Sequence, residues 1–112
     1  MSEPMLPQNI EAEYGVLGSI IIDPEAIMQV ADTLLPEHFY RHANEVIYSV
    51  VMQMYVQRIP ADFITLCDRL EQMGELEAVG GPGYITQLIN QVPTSGNIEY
   101  YADIVIRCAT RR

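Results

Sequence analysis

The chain has 112 residues, 49 % of them apolar and 19 % charged, enough for one compact core. All six basic residues are arginines (Arg41, Arg58, Arg69, Arg107, Arg111 and Arg112) against fifteen acids, a formal charge of -9; positions 1–106 carry three of those arginines and every acid, a net of -12. Such a surface repels phosphate backbones, so no direct nucleic-acid binding is expected, and the absence of lysine excludes a P-loop, Schiff-base chemistry or a lysine general base within these residues.

The N-terminus reads Met-Ser-Glu-Pro, with an acid where a secretory leader would carry positive charge, and no apolar stretch of leader type follows. The longest greasy run, Val16 to Ile22, is broken by Gly18 and Ser19 and is far short of the ~20 residues that span a bilayer. A soluble, cytoplasmic protein is expected. Cys67 and Cys108 are far apart in sequence and fall on apolar helical stripes, which fits two buried small hydrophobes better than a metal or redox pair.

Residues 1–8 contain Pro4 and Pro7 and read as an irregular arm; residues 9–112 read as the helical domain. Asn9 caps a first helix with Glu11 and Glu13 in its opening turn, both suited to the positive end of the dipole. Ile10, Tyr14, Leu17, Ile20 and Ile21 form a bulky face, and Ala12, Gly15, Gly18 and Ser19 a small-residue face, so this helix can pack on two sides. Asp23-Pro24-Glu25 starts a second helix, running to about Thr33 and burying Ile27, Val30, Ala31 and Leu34. Residues 35–40 form a turn that presents Phe39 and Tyr40.

A third helix over 41–56 has its main apolar stripe at Val46, Ile47, Val50, Val51 and Met54. Its opposite side carries Tyr48, Met52 and Val56 instead of charges, as in a helix that is central in its domain or half covered by another chain. These three are the candidate subunit or partner contacts. Pro60-Ala61-Asp62 caps a fourth helix with Phe63, Leu66, Cys67, Leu70 and Met73 on one face, stopped by Gly74. Gly80 to Gly83 open a fifth, with Tyr84, Ile85, Leu88 and Ile89 inward, ended by Val92-Pro93. Thr94 or Asn97 caps a sixth that buries Ile98, Tyr101, Ala102, Val105 and Cys108 and pairs Asp103 with Arg107 outside. No segment alternates with period two. The expected fold is all-α, a compact bundle of about six helices, the last still helical at Arg112 and so expected to belong to a longer protein.

No arrangement of residues carries chemistry. His38 and His42 lie four apart, but no further ligands are spaced to complete a zinc site. The Gly80–Gly83 run could hold an anion at a helix start, yet Glu75 and Glu77 lie just upstream and no cation is local, so a plain turn is the better reading. Ser2, Ser19, Ser49 and Ser95 occur in no G-x-S-x-G context. The pairs Glu11/Glu13 and Glu75/Glu77 read as surface acids at helix ends. Catalytic, cofactor and metal residues are therefore expected to be absent. Seven tyrosines and six methionines suit contact surfaces as well as cores, so the residues point to an interaction or assembly domain.

Taken in order, several segments become specific: Leu6-Pro7-Gln8-Asn9-Ile10-Glu11-Ala12-Glu13, then Val16-Leu17-Gly18-Ser19-Ile20 and Leu35-Pro36-Glu37-His38-Phe39-Tyr40. Ala61-Asp62 with Thr65-Leu66, Gly74-Glu75-Leu76, Gly80-Gly81 with Tyr84, and Val92-Pro93-Thr94 follow, and residues 97–105 (Asn97-Ile98-Glu99-Tyr100-Tyr101-Ala102-Asp103-Ile104-Val105) close the series. Over nearly the whole chain this resembles the N-terminal domain of the bacterial replicative DNA helicase of the DnaB type. The resemblance implies that a helical hairpin, a linker and a RecA-like ATPase domain follow. It also implies that such domains assemble, commonly as a trimer of dimers, into a collar on a hexameric ring and offer a docking surface to primase, with a helicase loader as a further candidate partner. ATP and Mg²⁺ then belong to the full-length protein, with no catalytic residue before Arg112. The hairpin supplies much of the family's dimer contact, so this chain alone is expected to be a monomer or weak dimer. The alternative is a free-standing, motor-less adaptor or regulator of a helicase. Two positions depart from the pattern: Asn44 stands where many relatives have histidine, and Gly15 replaces a more usual alanine or small polar residue.

Overall fold

A computed structural model describes residues 8–92 and 96–112. The expectations for residues 1–7 of the arm, for the Pro93 stop and for a Thr94 cap lie outside them. Among the described residues every regular element is helical: α1 (Ile10–Ile22), a 3₁₀ helix (Pro24–Gln29), a single 3₁₀ turn (Pro36–His38), α2 (His42–Val56), α3 (Phe63–Gln72), α4 (Gly81–Asn90) and α5 (Ile98–Arg111). The five α-helices and the longer 3₁₀ segment account for the six expected helices.

Local chemistry sets most of the boundaries. Asn9 Oδ1 accepts from Ala12 N at 2.9 Å and starts α1. Asp62 and Thr65 form a reciprocal box at the start of α3: Thr65 N donates to Asp62 Oδ1 at 2.9 Å, and Asp62 N donates to Thr65 Oγ1 at 3.0 Å. Gly74 (φ 74°) ends that helix in the left-handed region. The second element is the exception. Asp23 and Pro24 start it as expected, but it winds as 3₁₀, with Val30 N bonded to Ile27 O. Its buried anchors Ile27 and Val30 lie three apart, matching the three-residue period of that helix, and a run of six residues is short enough for the tighter geometry.

Helix α1 is the hub, and α2 is not. Nine of its thirteen residues are buried, from both faces. Its small-residue side meets α4 and α5: a Cβ on Gly18 would collide with the Leu88 carbonyl oxygen, and one on Gly15 would lie 2.5 Å from the Tyr101 ring. The departure at Gly15 is thus the space that Tyr101 occupies. The other side of α1 packs on the 3₁₀ helix and α2, which carries α3. The core runs between these layers through Leu17, Ile20, Leu34, Ile47, Leu66 and Leu88, all fully buried. The radius of gyration is 13.3 Å, close to the ~13 Å of a compact chain of this length.

Candidate partner-contact surface

Of the three contact candidates on α2, the structure removes one. Tyr48 is fully buried and its hydroxyl donates to Leu34 O at 2.9 Å; its ring lies 5.0 Å from that of Phe39. Its side of α2 is covered by the 34–39 turn of the same chain, so Tyr48 has no surface for a partner. Burial also raises its pKa well above the ordinary 10.0. Phe39 follows it inward, so the turn presents one aromatic, Tyr40, and not two. Met52 is partly buried against the core, and Val56, in the last turn of α2, is 76 % exposed.

The least expected feature is a buried polar network around Glu13. This carboxylate is 1 % exposed, so it is no surface acid. It accepts from Tyr40 N at 2.7 Å, Asn44 Nδ2 at 2.9 Å and, more weakly, Arg41 N at 3.4 Å. Tyr40 and Arg41 lead into α2 and Asn44 lies in its first turn, so Glu13 ties down the start of a helix other than its own, at the positive end of that helix's dipole. Asn44 passes the network on: its Oδ1 accepts a short hydrogen bond from the Tyr84 hydroxyl of α4. A neutral amide meets both neighbours, donating to a carboxylate and accepting from a phenol. Arg41 closes the outside, with a guanidinium nitrogen 2.9 Å from Tyr14 Oη and its Cζ 5.2 Å from the centre of the Tyr84 ring. Burial, then the neighbouring Tyr14, raise the pKa of Tyr84. One sequence signal pointed here: Glu13 lies three residues after Ile10 and four before Leu17, on the bulky stripe of α1.

The remaining candidates do not converge. His38 Nδ1 accepts from Leu35 N at 2.9 Å, and His42 Nδ1 lies 3.6 Å from Glu45. Among the described residues no three His, Cys, Asp or Glu side chains group as metal ligands. Gly80 and Gly81 both have positive φ, which is what the turn into α4 requires. Glu11 and Glu77 are exposed and Glu75 half-buried. Both cysteines are free and half-buried, so neither is the fully buried hydrophobe expected. Burial, then Glu71, raise the Cys67 pKa. No described helix is long and apolar enough to cross a membrane. Outwardly the domain offers acids and isolated large apolar side chains: Met28, Val56, Ile64 and Tyr100 are each more than 60 % exposed.

Fold and surface together define a small all-α domain whose polar investment lies in holding three helices together. Residues 5–107 match the family model described as DnaB-like helicase N terminal domain. The chain is 41 % identical over 105 residues to the replicative DNA helicase DnaC of Bacillus subtilis (strain 168), covering 94 % of this chain and 23 % of that protein. It is 38 % identical over 106 residues to the replicative DNA helicase DnaB of Mycobacterium leprae (strain TN), covering 95 % and 18 %. Among solved structures, the crystal structure of the N-terminal domain of DnaB helicase from Mycobacterium tuberculosis superposes with a TM-score of 0.93 at 38 % identity, covering 96 % of this chain and 75 % of that one. A second, described as the structure of a DnaB-like replicative helicase and its interactions with primase, gives 0.83 at 30 % identity, covering 93 % and 24 %. This chain belongs to the family of DnaB-like helicase N-terminal domains, and it spans less than a quarter of the length of the curated relatives it matches, from 11 % to 23 %.

Proposed function

We propose that this domain is the non-catalytic N-terminal collar of a cytoplasmic, hexameric replicative DNA helicase, mediating subunit association and primase docking. The family match carries the reading, together with the likeness to a helicase whose description names its interactions with primase. The chemistry agrees: an acidic domain without lysine contains no P-loop and is a poor phosphate binder. ATP hydrolysis with Mg²⁺, and strand translocation, then fall to an ATPase domain after a helical hairpin, outside these residues. A helicase loader is a further partner in this reading. Met52 and Val56 remain the proposed contacts on α2.

The test is made on the whole gene product. Sedimentation should show a hexamer for that product and a monomer or weak dimer for this chain alone. Labelled primase from the same organism should bind the hexamer, and binding should be lost when residues 1–112 are deleted. A product without a P-loop, or primase binding unchanged by the deletion, would overturn the proposal in favour of a motor-less adaptor or of docking elsewhere.

A further inference from the structure

One face of α5 is turned away from the domain. Ile98, Ala102 and Val105 are buried, while Tyr100, Asp103, Arg107 and Arg111 lie on the opposite side and are exposed, Tyr100 to 71 %. At 100° per residue these four fall within about 80° of one another around the helix axis. Asp103 and Arg107 are one turn apart, about 6 Å along the axis. No ion pair joins them, and the side chains of Tyr100 and Arg111 have no partner among the described residues. Arg41, Arg69 and Arg112 are engaged, with Tyr14, Gln57 and His38 respectively. Two of the three other arginines, in a chain of net charge -9, therefore stand unpaired on this one face.

The order of these groups is its own complement. Asp103 and Arg107 lie two residues to either side of Val105. An identical helix running antiparallel and level at Val105 sets Arg107 of the second copy opposite Asp103, and Asp103 of the second copy opposite Arg107. A two-fold axis thus makes the same ion pair twice. Tyr100 and Arg111 are about 20° apart around the axis, and in this register Arg111 of the second copy comes within one residue, about 1.5 Å, of level with Tyr100 on the same flank. A guanidinium placed there can lie on the phenol ring. A parallel copy would set acid against acid and base against base. We infer that α5 pairs antiparallel with α5 of a second copy of this chain, about a two-fold axis at Val105, through reciprocal Asp103–Arg107 contacts flanked by Tyr100 and Arg111. A helix of fourteen residues is about 21 Å long, so its outer face offers less than the ~800 Å² per partner of a stable complex, and the pair is weak. The net charge of -9 on each copy opposes it, but at physiological salt charges more than about 8 Å apart are largely screened, so the facing groups decide. The inference deepens the collar reading, on which its place in a ring rests, by naming a face for subunit association.

The test is a charge swap on this chain, read by sedimentation equilibrium and by the concentration dependence of amide chemical shifts. The native chain should dimerise with a Kd below about 1 mM, with shifts centred on Tyr100, Asp103, Arg107 and Arg111. Asp103→Arg and Arg107→Asp change exposed side chains, so helix content by circular dichroism should hold, while each alone sets like charges face to face and should weaken the dimer at least about tenfold. An equimolar mixture of the two variants restores both opposed pairs and should associate within about threefold of the native chain; so should the double variant. Absence of a dimer below that limit would overturn the inference. So would a dimer that neither swap weakens, or one that both weaken and neither the mixture nor the double variant restores. A dimer dissolved by Met52→Glu but indifferent to the swaps would place the contact on α2 and overturn it too. Each of these failures leaves the collar reading standing, because that reading is tested on the hexamer and primase binding of the whole gene product.

Discussion

Glu13→Gln tests the account of the buried network, because it keeps the shape of the side chain and removes only its charge and one acceptor. The native carboxylate satisfies Tyr40 N at 2.7 Å and Asn44 Nδ2 at 2.9 Å, with Arg41 N beyond at 3.4 Å. A glutamine keeps one oxygen and turns an NH₂ toward one of these donors. If the oxygen stays on Tyr40, the NH₂ faces Asn44 Nδ2, and Asn44 must flip, which ends the donation from Tyr84 and turns Asn44 Nδ2 toward that hydroxyl instead. The cost is one charge-assisted hydrogen bond, about 1.5–3 kcal/mol, plus the loss of a negative charge at the start of α2, about 0.3–1 kcal/mol. We expect about 2–3 kcal/mol in urea unfolding with an unchanged m-value, and a Tm lower by roughly 10 °C. Glu13→Gln and Tyr84→Phe should be non-additive, since they share Asn44. Glu11→Gln, at an exposed neighbouring acid, should stay within about 0.5 kcal/mol. A loss below about 0.5 kcal/mol for Glu13→Gln, on the same scale, would refute the idea that this carboxylate ties α1 to α2.

Four further outcomes complete the set. Gly18→Ala places a methyl group against the Leu88 carbonyl oxygen, a backbone atom of α4, and should cost about 1–3 kcal/mol in urea unfolding. Gly74→Ala meets nothing within 4 Å and is opposed only by φ 74°, so it should cost about 1–2 kcal/mol. Tyr48 and Tyr84 both have folded pKa values raised above 10.0. Their contribution to stability is complete below pH 10.0 and is lost as pH rises above it, because the unfolded chain ionises first. Urea midpoints should fall above about pH 10, and in absorbance titration two of the seven tyrosines should ionise only on unfolding. Finally, Met52→Glu should weaken self-association in the whole gene product while this chain stays folded by circular dichroism. Unfolding of the chain instead would assign Met52 to the core and end its role as a contact.

Much of this molecule is determined by residues close in sequence. Asn9, Asp23-Pro24, the Asp62/Thr65 box and Gly74 act within three or four positions, so their signals survive without tertiary context. The small face of α1 also announced close packing, and the ordered segments from Leu6 to Val105 announced the family. Three things depended on what folds back from a distance. Glu13 appeared as a first-turn acid because its partners, Tyr40, Arg41 and Asn44, lie 27 to 31 positions away. Tyr48 appeared as part of an outer face because periodicity gives the angle between side chains but not what covers them; the 34–39 turn does so. The second element winds as 3₁₀ where its capping signals predict only a helix: Asp23 and Pro24 set its start, and the choice of winding is made by the packing of Ile27 and Val30 into the core. Sequence alone determined where this chain is helical and which family it joins; tertiary packing decided which of its polar and aromatic groups are structural and which are left for partners.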